Sequence, residues 1–230
     1  MIISNRLPYE YFVTTGRGQS DAGSKGLPFE TGSYDAALND AGIENANIMV
    51  YSSVIPTEAK ELSKEEGLGR IKWGQVIESI KAEANGKHGQ RITAAVMITT
   101  VHDPRGKYLG GFACEYSGSG ERKDAEASLL LSVKGMIERR GYGTMPSSCQ
   151  VGKDCTTDKG HVIHPGKKFV IDTLNVTKKA GSVLAAICFM SFRVEEGKLN
   201  VAKKGGRRTR GGRRRDRRQT RRVRFALRRR

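Results

Sequence analysis

The chain has 230 residues, 37% of them hydrophobic, which suits one domain or one domain with an appendage. Its net charge of +17 belongs to one end: residues 203–230 hold 16 Lys and Arg against a single Asp, and the other 202 residues hold 25 basic and 23 acidic groups. A body so nearly neutral argues against an enzyme that grips nucleic acid across its folded surface, and no apolar stretch approaches the ~18 residues of a membrane span.

Residues 1–12 lack a charged region followed by a long apolar one, so no secretory signal is expected and the cytoplasm is the expected compartment. Residues 10–15 predict a short strand, and residues 16–30, rich in Gly, Ser and Asp, a loop. Residues 34–41 carry a helical pattern that stops at Gly42, a residue suited to a helix C-terminus. Residues 47–54 are apolar and partly β-branched, which predicts one strand ended by Pro56. Residues 91–101 give the clearest strand, and the turn Asp103-Pro104-Arg105-Gly106 predicts a hairpin with residues 108–116.

Residues 122–140 predict the best helix, with Ala125, Leu129, Val133, Met136 and Ile137 on one face and Gly141 past its end. Residues 143–168 show little periodicity and read as a loop. Residues 182–194 are long, apolar and rich in β-branched and aromatic residues, which predicts a core strand. Sheets with one long helix and few others predict an α+β fold. Beyond Leu199, glycines interrupt the arginines and few apolar residues remain, which predicts disorder. The expected layout is a domain over residues 1–199 and a basic tail over residues 200–230.

Cys114 and Cys188 sit in apolar runs, where a reduced thiol acts as a small hydrophobe, and no disulfide framework is expected. Cys149, Cys155, His161 and His164 are spaced too widely between the cysteines and too tightly between the histidines for common zinc pairs. That run therefore reads as a loop with incidental polar residues, and no metal is expected. Gly16 and Gly18 precede no convincing helix, which argues against a dinucleotide fingerprint, and His88 reads as part of an exposed turn.

The run Tyr51-Ser52-Ser53-Val54-Ile55-Pro56 ends an apolar strand. A Ser-Ser pair there ordinarily makes a turn. It also permits a specific chemistry. A serine hydroxyl can attack the carbonyl before it, converting the amide to an ester; β-elimination then cuts the chain and leaves dehydroalanine, whose hydrolysis leaves a pyruvoyl group. A strained peptide bond and a polar group on its carbonyl favour the attack.

The surroundings decide between the two readings. The run Tyr34-Asp35-Ala36-Ala37-Leu38, then residues 41–48 (AGIENANI), then YSSVIP at 51–56 and GGFACEY at 110–116, resembles the pyruvoyl-dependent arginine decarboxylase family, in motifs and in their order. Pro28-Phe29-Glu30-Thr31 ahead of them is similar to its bacterial branch. The resemblance covers most of residues 7–141 and, more loosely, 182–194; residues 143–168 and the arginine tail depart from the family pattern.

The resemblance implies that cleavage falls between Ser52 and Ser53, giving a β chain of residues 1–52 and an α chain that begins with a pyruvoyl group made from Ser53. It implies that Asn47 assists self-cleavage, that Glu115 is the catalytic acid and that Asp35 faces the guanidinium of the substrate, arginine. It further implies a layered αββα sandwich and homo-oligomers, trimers or pairs of trimers, with active sites at subunit interfaces. The residue chemistry agrees. Protein side chains offer no good electron sink for a decarboxylation, so a carbonyl cofactor is needed. Glu115 lies between Phe112-Ala113-Cys114 and Tyr116, an apolar setting that keeps a carboxylic acid protonated. Asp35 on a helix start suits both the helix dipole and a planar guanidinium. Two other readings compete: a pyruvoyl decarboxylase of another amino acid, and a protein that binds nucleic acid, or any polyanion, through its arginine tail.

Overall fold

The computed structural model describes residues 5–22 and 30–195. Two units make up the chain, Met1–Gly197 and Lys198–Arg230, and everything described belongs to the first. The tail for which disorder is expected lies outside the described residues.

The elements run in order β1 Asn5–Ser20, α1 Glu30–Ala41, β2 Asn47–Val50, β3 Val54–Ile55, β4 Lys60–Glu61 and α2 Lys64–Leu68. There follow β5 Val76–Lys87, β6 Arg91–His102, β7 Tyr108–Gly118, α3 Arg122–Arg139, β8 Cys155–Thr156, β9 Val162–Asn175 and β10 Ala180–Glu195. The fold is mixed α/β, with two sheets and few helices. The first sheet has the order β2-β5-β10-β1-β4 and the second β3-β7-β6-β9-β8.

Strand alternation sorts the apolar residues into three cores. Tyr11, Ile80, Val183, Ala185 and Ile187 of the first sheet share one cluster with Ile92, Ala94, Val96 and Ala113 of the second. Phe12, Leu184, Ala186 and Cys188, on the other face of the first sheet, pack with Ala37 and Ala41 of α1. Ala95, Met97, Phe112 and Cys114, on the other face of the second, pack with Ala125, Leu129, Val133 and Ile137 of α3. The helical face expected for residues 122–140 is thus the buried one, with Met136 partly buried beside it.

Gly16 and Gly18 explain how α1 reaches its sheet. They lie inside β1, and a Cβ on them would stand 2.1 Å from the Ala37 carbonyl oxygen and 2.4 Å from that of Ser33. The glycine pair is a seat for a helix, which α1 occupies with its last carbonyl taking a hydrogen bond from Thr14 Oγ1 at 2.8 Å.

Several boundaries differ from the sequence reading. β1 runs through Ser20, because β10 pairs with it as far as Ser20↔Ala180. β5 has no counterpart in that reading, since Glu78, Lys81 and Glu83 interrupt its apolar residues. β9 begins within the expected loop 143–168, where Pro165 and Gly166 sit in a register shift against β6 between Ile98 and Thr100. Cys149 and Cys155 form a disulfide, contrary to the expectation of no disulfide framework; a loop whose two cysteine Cα atoms come within 5.5 Å places the pair for bonding, which spacing alone does not reveal. Cys114 and Cys188 are free and buried. Most consequential, the single strand expected over residues 47–54 is two strands in different sheets.

Candidate active site

β2 closes the edge of the first sheet, running parallel to β5 from Asn47↔Val76 to Val50↔Ser79. The next residue is still bound there, its Tyr51 N–H donating to the Ser79 carbonyl at 2.7 Å. β3 opens the edge of the second sheet, antiparallel to β7, with Val54↔Phe112 and Ile55↔Gly111. The Ser53 carbonyl already belongs to that ladder, accepting from Ala113 N–H at 2.9 Å. The Ser52–Ser53 peptide is therefore the crossing between the two sheets. Ser52 is exposed and Ser53 half-buried.

The glycines of the GGFACEY run make this approach possible. Gly110 has φ +118°, a conformation that disfavours side chains, and a Cβ there would stand 3.2 Å from the Ile55 carbonyl oxygen. A Cβ on Gly111 would stand 3.0 Å from the Thr99 carbonyl oxygen and 3.4 Å from Ile55 Cβ.

Register then places Ser53 beside Glu115. Ser53 stands opposite Ala113, and residues opposite one another in an antiparallel pair point to the same face. Ile55 and Ala113 both face the core between the sheets, so Ser53 and, two residues on from Ala113, Glu115 share that face. Such diagonal neighbours lie about 7–8 Å apart at Cα, within reach of a glutamate side chain. In the single chain Glu115 is exposed as a residue. Its carboxyl end is nonetheless crowded enough that partial burial raises its pKa above the ordinary glutamate value.

The other two expected site residues stand elsewhere in the single chain. Asn47 is exposed, and its Nδ2 donates to the Gly74 carbonyl at 3.0 Å at the far end of β2 from the crossing. Asp35 is exposed on α1, on the outer face of the first sheet, and no hydrogen bond or ion pair involves its carboxylate among the described residues. The cysteine–histidine run does not converge. Its sulfurs are bonded to each other, His161 lies 5.0 Å from the Tyr142 ring, and His164 pairs with Asp154. Among the described residues no group of three or more His, Cys, Asp or Glu is placed to hold a metal ion.

Sequence reasoning missed a third partner of the crossing. Glu78 of β5, only 4% exposed, lies between Ile77, which faces α1, and Ile80, which faces the second sheet. Its carboxylate accepts from Tyr51 Oη and from the Arg6 guanidinium. The signal available was a lone carboxylate within the apolar Val76-Ile77-Glu78-Ser79-Ile80 stretch, a residue type rarely buried unless paired.

Residues 10–194 match the family described as pyruvoyl-dependent arginine decarboxylase. The chain belongs to that family. The chain is 39% identical over 199 residues to the pyruvoyl-dependent arginine decarboxylase AaxB of Chlamydia abortus, covering 84% of this chain and 95% of that protein. The Chlamydia muridarum AaxB is 40% identical over 197 residues, 84% of this chain and 95% of its own. The pyruvoyl-dependent arginine decarboxylase of Thermoplasma volcanium is 32% identical over 142 residues, covering 62% of this chain and 73% of that one.

Membership makes the chain a carboxy-lyase, a pyruvoyl-dependent arginine decarboxylase that releases carbon dioxide from arginine to leave agmatine. Position 53 fits a covalent pyruvoyl group: it is half-buried, its carbonyl is fixed by Ala113 N–H, and it shares a face with Glu115. Among the described residues no helix is long and apolar enough to cross a membrane.

Proposed function

We propose that this decarboxylase cuts itself between Ser52 and Ser53, makes its pyruvoyl group from Ser53, and acts on arginine in sites shared between neighbouring copies. The observation that carries this reading is the crossing itself, one peptide held at its two ends by different sheets, with Ser53 and Glu115 on a common face.

Ser53 Oγ attacks the Ser52 carbonyl carbon, the amide C–N bond breaks, and the nitrogen of residue 53 takes up a proton. Loss of the Cα proton of residue 53 expels the Ser52 carboxylate and leaves dehydroalanine. Water then replaces the nitrogen, releasing ammonia. The resulting ketone supplies a carbonyl that engages the substrate amine and takes up the electron pair left when carbon dioxide departs. Glu115, whose partial burial favours its protonated form, supplies the proton that the α-carbon needs afterwards. Asp35 pairs with the guanidinium, whose planar fork matches a carboxylate better than an ammonium does.

Asp35 and Asn47 lie away from Ser53 within one chain, so in this reading they reach it from an adjacent copy in a trimer or a pair of trimers. Exposed Met49, Val50 and Val54 flank the crossing and give that contact an apolar edge. This reading adopts an αββα sandwich, supported by one core shared by the two sheets, one beneath α1 and one beneath α3. It also keeps the domain at residues 1–199, the tail at 200–230 and the cytoplasm as the compartment.

Intact mass of the purified protein tests the reading. The expected result is two chains, residues 1–52 and 53–230, the second lighter than its unmodified sequence by the change from an N-terminal serine to pyruvoyl. A single uncut chain that nevertheless decarboxylates arginine would overturn it.

A further inference from the structure

The buried carboxylate of Glu78 has no part in the chemistry above, yet it is bound to Tyr51, the residue just ahead of the Ser52–Ser53 peptide. Tyr51 is held twice by consecutive residues of β5: its N–H by the Ser79 carbonyl at 2.7 Å, and its hydroxyl by the Glu78 carboxylate. Arg6 of β1 supplies the charge that makes a buried carboxylate tolerable, and its guanidinium is steadied 4.9 Å from the centre of the Phe192 ring. The Tyr51 ring packs against Phe189 at 6.0 Å. Burial, together with the bond to Glu78, raises the Tyr51 hydroxyl above its usual pKa, so it stays a donor.

We infer that Glu78 and Tyr51 are positioning residues for self-cleavage: they fix the upstream end of the Ser52–Ser53 peptide so that Ser53 Oγ meets the Ser52 carbonyl. The downstream end is already fixed by Ala113. With both ends held by separate sheets, the intervening peptide loses the freedom to swing away from its attacking hydroxyl, which is the contribution that orientation makes to an intramolecular reaction. The balance of the step is unchanged. Ser53 Oγ gains the Ser52 acyl group as the amide C–N bond breaks, the residue 53 nitrogen gains the proton, and Glu78 exchanges nothing.

This inference rests on the cut at Ser53, and the experiment separates the two. Wild-type, Ser53→Ala, Tyr51→Phe, Glu78→Gln and the double variant Tyr51→Phe/Glu78→Gln are made by pulse translation, and the splitting of each chain is followed on denaturing gels. Tyr51→Phe keeps the ring and removes only the hydroxyl, so its melting temperature is expected to stay near wild type. Its splitting is expected to slow roughly tenfold or more, the kinetic counterpart of losing a hydrogen bond to a charged group. The double variant is expected to be no slower than the slower single one, because both remove the same bond. Once split, Tyr51→Phe is expected to decarboxylate with the wild-type kcat. Hydroxylamine, which cuts esters, is not expected to accelerate the splitting of Tyr51→Phe, since the ester forms slowly.

Wild-type splitting rates in Tyr51→Phe overturn the inference, as do additive effects in the double variant. Rapid cutting of Tyr51→Phe by hydroxylamine also overturns it, because the network then acts after the ester has formed. Splitting of Ser53→Ala, in contrast, overturns the proposed cleavage site itself.

Discussion

Tyr51 and Ser53, two residues apart, are hydrogen-bonded to different sheets: Tyr51 N–H to the Ser79 carbonyl of β5, the Ser53 carbonyl to Ala113 N–H of β7. A cut between Ser52 and Ser53 therefore leaves each new end anchored in its own ladder. The hydrogen bonds that hold the domain together are not those the proposed cut would break, so that cut would divide the domain without dismantling it.

Ser53→Ala is expected to remain one chain of 230 residues and to show no decarboxylation, because alanine has no hydroxyl for the acyl shift. Ser53→Cys is expected to split slowly, since a thiol makes the same shift. Gel analysis and carbon dioxide release check both.

Glu115→Gln is expected to split normally and to turn over about 10²–10⁴-fold more slowly, the usual loss on removing a general acid. The pH profile sharpens the test. Partial burial raises the Glu115 pKa, and the proposed role as proton donor requires its protonated form. The wild-type kcat is therefore expected to hold below that raised pKa and to fall as pH rises through it. The same limb is expected to be absent from the residual activity of Glu115→Gln. A full-activity Glu115→Gln enzyme removes the residue from the mechanism.

Asp35→Asn is expected to leave splitting intact and to raise KM for arginine roughly ten- to a hundredfold, corresponding to about 1.5–3 kcal/mol for a charged hydrogen bond. Because Asp35 and Ser53 are assigned to different copies at each site, co-expressed Asp35→Asn and Ser53→Ala chains are expected to regain activity as mixed oligomers. Mixed oligomers no more active than Asp35→Asn alone would mean that both groups act from the same copy.

Gly16→Ala is expected to lower the melting temperature. The new Cβ would stand 2.1 Å from the Ala37 carbonyl oxygen, and α1 has to move outward. Such overpacking costs about 1–3 kcal/mol, or several degrees for a domain of this size. Because Asp35 rides on α1, KM for arginine is expected to rise as well.

A chain ending at Leu199 is expected to split and decarboxylate like the full one, since every family motif precedes that residue. The full chain alone is expected to bind RNA at low salt and to release it as salt rises. Loss of splitting or of oligomers on truncation would make the tail structural.

The sequence alone determined the local elements that carry their own punctuation. Gly42 and Gly141 stop α1 and α3, and both have positive φ. Asp103 and Gly106 close the β6–β7 turn, with Gly106 N–H bonded to the Asp103 carbonyl at 2.9 Å. The motifs around Ser53 and Glu115 also sufficed to indicate the family, because that chemistry demands particular residues in a particular order.

Only the tertiary structure decided what those segments join. An apolar run from Asn47 to Val54 reads the same whether it pairs with one partner or changes partners midway, and the change is made by Ser79, 28 positions from Tyr51, and Ala113, 60 positions from Ser53. Glu78 and Arg6 meet across 72 positions, so neither local spacing nor periodicity could show that a buried carboxylate holds Tyr51, ahead of the Ser52–Ser53 crossing. The same holds for β9, where a register shift at Pro165 disguises a strand, and for the Cys149–Cys155 bond. Periodicity records which face of an element is apolar; which element covers that face is fixed by packing between segments distant in the chain.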